Sequence, residues 1–208
     1  MGTSVKEPTP TLIAFCGRSG TGKTTLAGKI TELLAKEDAR PVISTTTRPK
    51  REGEIEGDEY EFVSEEEFWR RHRDEQFAWL VEIETQDGKI YHATEHKRLD
   101  TACASGISVI VLTPDKLVPF ANEVRKRSSA VNLLFFWVRV NDEAMLLERL
   151  TKRDGKEKAH KRLAFDHDWP AQIQNSGVSY IEVDGTADPD DNAQLIASRV
   201  ELAYYNLI

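Results

Sequence analysis

The chain has 208 residues, 39% hydrophobic and 30% charged, with 28 Lys and Arg against 35 Asp and Glu and a net charge of −7. That length suits one α/β domain with inserted lobes, and the acidic balance excludes the whole molecule as an electrostatic partner for nucleic acid, so any anion site must come from local clusters. Two cysteines, Cys16 and Cys103, make no disulfide framework, and no apolar run approaches a membrane span, so a cytoplasmic protein is expected.

Residues 1–10 are polar, lack the apolar stretch of a signal peptide, and are expected as a flexible tail. Thr11-Leu12-Ile13-Ala14-Phe15-Cys16 reads as a buried strand. Gly17-Arg18-Ser19-Gly20-Thr21-Gly22-Lys23-Thr24 fits G-x-x-x-x-G-K-[ST] at every fixed position. Leu26, Ile30, Leu33 and Leu34 then recur at helical spacing. A second strand at 41–45 leads into a loop marked by Pro49 and Gly53. Residues 59–63 alternate like a strand, and Ser64 with Glu67 forms a capping box for a helix over 65–74. A strand at 77–83, a hairpin turn at Asp87-Gly88 and a returning strand at 89–93 follow. Residues 46–95 thus read as a small antiparallel lobe with one helix, inserted between core segments 11–45 and 96–208.

The core pattern resumes with a helix over 99–104 that Gly106 ends, and a strand at 107–112. A helix at 117–127, a strongly apolar strand at 133–140 and a helix from Ala144 follow. After the charged stretch 148–162 come a strand at 178–183 and a last helix at 190–207. Strands alternating with helices imply a parallel sheet with right-handed crossovers.

The glycine loop lies between a strand and a helix, where backbone N–H groups and a helix N-terminus converge on an anion. It is expected to bind ATP through Gly17, Ser19, Gly20, Thr21, Gly22, Lys23, Thr24 and Thr25. Lys23 reaches the β- and γ-phosphates, and the Thr24 hydroxyl sits on Mg²⁺. Arg48 and Arg51, three apart on a loop beyond the second strand, suit a phosphate fork. Arg149, Arg153 and Arg162 flank a flexible point at Gly155. On a lid they would neutralise a transferring phosphoryl group, an effect of about 10³–10⁵ in rate in GTPases.

Together these residues resemble the guanylate kinase family of P-loop nucleoside monophosphate kinases. The resemblance runs from about residue 11 to about residue 185. It rests on the glycine loop, on Ser44-Thr45-Thr46-Thr47-Arg48-Pro49-Lys50-Arg51-Glu52-Gly53-Glu54, on Gly57-Asp58-Glu59-Tyr60-Glu61-Phe62-Val63-Ser64-Glu65-Glu66-Glu67-Phe68, and on Glu148-Arg149-Leu150 with Arg153 and Lys161-Arg162-Leu163. It implies a P-loop parallel sheet flanked by helices, an inserted monophosphate-binding lobe and a lid at about 153–162. It implies catalytic roles for Lys23, Arg48, Arg149, Arg153 and Arg162, and an acceptor phosphate held by Ser44, Arg48, Arg51, Tyr60 and Tyr91.

The departures bear on the acceptor. The family's guanine-reading Glu aligns with Trp79, and the family's N-Y-Y-G with Lys89-Ile90-Tyr91-His92. Ala93 then occupies the place of a guanine-reading Ser or Thr, with Thr94 adjacent. The strand at 107–112 lacks the family's Asp-x-Asp, Asp115 is the nearest carboxylate, and Glu82 is retained and can serve near the metal. The phosphate half of the acceptor site looks intact and the base-reading half rebuilt around Trp79.

The expected function is ATP-dependent phosphoryl transfer to the phosphate of a small acceptor, a nucleoside monophosphate such as GMP, dGMP or a modified nucleotide. A ribose bisphosphate is the alternative acceptor, and a non-catalytic phosphopeptide-binding module is the alternative of another class. No nucleic-acid or membrane partner is expected, and the chain is expected as a monomer or homodimer. His72, His92, His96, His160 and His167 are not spaced as a metal set, and His92 is expected on the surface, with contact to the acceptor beside Tyr91 as the alternative.

Overall fold

The computed structural model describes residues 7–51, 53–58, 60–85 and 88–207. Glu52, Glu59 and the Asp87 of the expected hairpin turn lie outside the described residues, as do residues 1–6 of the expected tail. The elements in chain order are β1 (Thr11–Cys16), α1 (Lys23–Leu33), β2 (Ala39–Pro41), β3 (Ser44–Thr46), β4 (Tyr60–Phe62), α2 (Glu65–Arg73), β5 (Phe77–Thr85), β6 (Gly88–Glu95) and α3 (His96–Ala104). They continue with β7 (Ile107–Val111), α4 (Leu117–Arg127), β8 (Asn132–Arg139), α5 (Glu143–Asp154), α6 (Lys156–Phe165), α7 (Trp169–Asn175), β9 (Ile181–Asp184) and α8 (Pro189–Tyr204).

Every residue of β1 is buried, so both of its faces need cover. Its side chains alternate between two layers. Leu12, Ala14 and Cys16 pack with Leu99 of α3 and Leu117, Phe120 and Val124 of α4. Ile13 and Phe15 pack with Leu26 and Ile30 of α1 and Ala193, Ile196 and Val200 of α8. The strand order is β2-β7-β1-β8-β9 and every pairing is parallel, which makes a helix-covered α/β sheet with β1 at its centre. The glycine loop follows β1 at its carboxyl end, where ligands bind in such sheets.

The second sheet has the order β4-β3-β6-β5. It is antiparallel at β3/β6 and β5/β6 and parallel at β3/β4. The single strand expected at 41–45 is divided between the two sheets. Val42 is buried in the core and donates its N–H to Val109 O at 2.8 Å, while Ser44 already pairs with Tyr60. The lobe therefore begins at Ser44.

Local signals held in part elsewhere. Ser64 Oγ accepts the Glu67 N–H at 3.2 Å, but the Glu67 carboxylate binds Arg70 and Arg71, so half of the expected capping box forms. Thr9 and Pro10, expected in a loose tail, are tied down. Thr9 N donates to Tyr204 O at 2.8 Å, and Asn132 N donates to Pro10 O at 2.9 Å. The short helix α7 has no counterpart in the sequence reading, and the last strand starts at Ile181 instead of 178.

Candidate active site

The donor side is the loop between β1 and α1. Gly17 has φ +149°, and a Cβ there would meet Val138 O at 2.2 Å, so only glycine lets the loop leave the sheet at this point. Gly22 has φ +98° and is the N-cap of α1, which turns the first amides of the helix toward the loop's concave side. Thr21 spends its hydroxyl internally, donating to Arg18 O at 2.9 Å. Lys23 Nζ donates to the same carbonyl at 2.6 Å. Burial lowers the Lys23 pKa to about 8, nearby Cys16 and Asp166 oppose that, and Arg153 and Arg162 lower it further. Thr24 and Thr25 are exposed on the first turn of α1.

An acid from the far end of α6 closes this loop. Asp166 is fully buried, accepts the Ser19 N–H at 2.5 Å and pairs with Arg18 Nε at 3.0 Å. Arg18 also holds Leu163 O at 3.0 Å and Glu143 at 3.1 Å, so one arginine joins the loop to both α5 and α6. The sequence carried no signal for Asp166, which is one acid among many beyond a charged run.

The lobe's contribution follows from strand register. Residues directly opposite in a sheet share a face. Ser44 lies opposite Tyr60, Thr46 opposite Phe62 and His92, His92 opposite Val81, and Thr94 opposite Trp79. This face carries Arg48, whose guanidinium stacks 5.1 Å over Tyr60 and 5.3 Å over Phe62. The Arg48 fork grips Glu54 at 2.7 and 2.9 Å, and Glu54 also accepts the Arg51 N–H. The Arg48 hydrogen bond leads, against burial, in holding the Glu54 carboxyl at about 2.

His92 belongs to this face and not to the open surface, contrary to expectation. Its ring lies 5.5 Å from Tyr60. Burial pushes its pKa down to about 4, helped by Arg48, Arg51 and Arg162. Tyr91 and Glu82 lie on the opposite face. Tyr91 packs 5.6 Å from Phe68 and 4.8 Å from Trp69, and it lies directly opposite Glu82, which pairs with Lys89 at 2.6 Å. Tyr91 and Tyr60, expected together on the acceptor's phosphate, therefore lie on different faces of the sheet, and Glu82, expected near the metal, lies on the face of Tyr91. Trp79 shares the face of His92 and sits at the lobe's junction with the core, edge-on to Phe120 at 5.9 Å.

The expected lid at about 153–162 falls on the helical pair α5 and α6, which join at Gly155, a residue with φ +85°. Arg153 and Arg162 both bind Asp154, at 2.8 and 3.1 Å. Burial would raise the Asp154 pKa, but Arg153, Arg162 and Arg51 hold it low. Burial lowers the Arg162 pKa, Asp154 opposes this, and Arg153, Arg51 and Arg48 add to the lowering. Lobe and lid arginines therefore act on the same groups. Arg149 stands apart, donating to Gly20 O at 3.3 Å and Gly185 O at 3.0 Å behind the glycine loop.

A phosphate-binding loop on a parallel sheet, an inserted lobe with an arginine fork and a basic helical hairpin define a P-loop protein of the nucleotide-kinase architecture. The chain belongs to the guanylate kinase family: the family model described as "Guanylate kinase" matches residues 9–176. The chain is 32% identical to a guanylate kinase of Helicobacter pylori over 154 residues, 73% of this chain and 69% of that protein. It is 33% identical to one from Sulfurimonas denitrificans over 130 residues, 62% of this chain and 56% of that protein's length. The crystal structure of guanylate kinase from Anaplasma phagocytophilum superposes with a TM-score of 0.63 at 18% identity, covering 95% of this chain and 88% of that one, which shows the shared fold.

Proposed function

We propose that this chain transfers the γ-phosphoryl group of ATP to the phosphate of a nucleoside monophosphate, with GMP as the first-choice acceptor. The observation that carries the reading is the convergence of arginines from two parts of the chain. Arg48 and Arg51 from the lobe and Arg162 from the lid all act on His92, and Arg153 and Arg162 act on Lys23 of the donor loop. Two polyanions meet between those groups. The acceptor's phosphate oxygen attacks the γ-phosphorus, the bond to the bridging oxygen breaks, and ADP leaves. No base is needed, because the attacking oxygen already carries charge. Arg153 and Arg162 offset the charge of the group in flight. Arg149 sets the shape of the donor loop through its two carbonyl contacts.

Thr24 would hold Mg²⁺. The ion would arrive with the triphosphate and keep most of its waters. When bound, it neutralises charge between the β- and γ-phosphates. Thr94 supports a purine acceptor, because it places a hydroxyl on the face of Ser44 where Ala93 had been expected. Trp79 in place of a carboxylate favours the second reading, a ribose bisphosphate acceptor. The test is an ADP-release assay with GMP, dGMP, AMP, CMP, UMP and ribose bisphosphate, with and without Mg²⁺. Turnover with GMP leading is expected. Turnover with ribose bisphosphate alone supports the second reading, and none with any acceptor overturns both.

A further inference from the structure

We propose that His92 is a ligand of the acceptor's phosphate and makes acceptor binding depend on a proton, an inference that rests on the reading of the lobe as the acceptor site. The register puts His92 on the face of Ser44 and Tyr60, and puts Tyr91 on the other face among Phe68 and Trp69. One donor expected for the phosphate is thereby absent from that face, and an imidazole stands there instead. Its ring is 5.5 Å from Tyr60, over which Arg48 stacks.

The charged groups that act on the ring are Arg48 and Arg51, from the loop after β3, and Arg162 of α6, while Tyr60 of β4 lies beside it; Arg48 is itself paired with Glu54, and Arg162 with Asp154 of α5. From β3 and β5 it meets Thr46 and Val81, neither of which titrates. Surrounded by three arginines and largely buried, the ring is neutral in the free protein, with its pKa near 4. A phosphate dianion drawn to Arg48 and Arg51 reverses the field at the ring and raises that pKa. The ring then takes up a proton and becomes a charged donor to the anion. Because the bound state holds the proton to higher pH than the free state, binding gains from His92 on the acid side. That gain fades as pH rises through the bound-state pKa.

Two measurements test this. In the wild-type protein, the ring C–H resonances of the five histidines are followed against pH with and without inorganic phosphate. His92 is expected to titrate lowest when free and to move upward with phosphate. In parallel, KM for GMP is measured for wild type, His92→Phe and His92→Gln at pH 6 and pH 8.5. Losing a charge-assisted bond raises the His92→Phe KM by about 30-fold at pH 6, and losing a neutral one raises it by about 5-fold at pH 8.5. His92→Gln, which keeps a neutral donor, departs from wild type only at pH 6. Ratios to wild type cancel the acceptor's own titration near pH 6, and KM for ATP stays within twofold. A ratio independent of pH, or phosphate that binds without moving the His92 resonance, overturns the proposal. GMP turnover with an unmoved ring removes this inference alone. A ring moved by phosphate with no turnover of any acceptor keeps the phosphate ligand and removes the kinase reading.

Discussion

Replacing Asp166 with asparagine keeps the shape of a side chain but removes the charge that joins the lid to the donor loop. The carboxylate is fully buried and receives two donors, Arg18 Nε at 3.0 Å and Ser19 N–H at 2.5 Å. An asparagine oxygen can serve one of them, and its NH₂ must then face the other. A lost charge-assisted bond is worth about 1.5–3 kcal/mol, and breaking a buried pair costs about 3–5 kcal/mol. Arg18 keeps Leu163 O and Glu143, so the lower end applies, about 3 kcal/mol. For a chain of this size that lowers the melting temperature by about 6–12 °C. The control is Glu143→Gln, which removes a 60% exposed partner of the same arginine and costs under about 0.5 kcal/mol. Urea and thermal unfolding of both variants give the stabilities, and KM for ATP reports the loop. Asp166→Asn is expected to raise KM for ATP, because the Ser19 amide loses its anchor. An Asp166→Asn shift no larger than that of Glu143→Gln would refute the idea that this acid fixes the loop.

Lys23→Ala removes a half-buried cation whose hydrogen-bond partners among the described residues are Arg18 O and Thr21 Oγ1, so turnover should fall at least about 10²-fold with the fold retained; circular dichroism and the ADP-release assay check both halves. Glu54 has a folded-state pKa depressed to about 2, so its stabilisation is complete above the ordinary carboxyl value and is lost as pH falls through about 2. The stability gap between wild type and Glu54→Gln should therefore shrink from pH 5 to pH 2, and a constant gap in urea titrations contradicts the Arg48–Glu54 assignment. Trp79→Ala removes a half-buried ring from the edge of Phe120 and should cost about 2–3 kcal/mol, below the range for fully buried aromatics. Trp79→Phe should keep KM for GMP within twofold; a large rise would return Trp79 to the acceptor site.

The donor loop was readable from local chemistry. Glycine spacing, a lysine and a threonine at fixed offsets, and flanking apolar runs of strand and helix period are properties of one continuous segment. Arg48 and Arg51 were readable for the same reason, since both sit on one short loop. The second strand was misjudged because burial makes Val42 look continuous with Ser44, although the two residues belong to different sheets. An aligned position does not say whether a ring meets ligand or core, and only the structure shows that Trp79 packs edge-on to Phe120.

The sequence by itself determined the strand, glycine loop and helix around Lys23, because glycines and a lysine at those offsets between apolar runs act over a few residues of chain. The tertiary structure alone decided which neighbour shares the face of Ser44 and Tyr60. On β6, Tyr91 and His92 differ by one step, and only pairing with β3 and β5 fixes which of them points to which side. It also decided that Asp166, 147 residues beyond Ser19, closes the donor loop, since such a contact arises only once α6 has packed against the sheet.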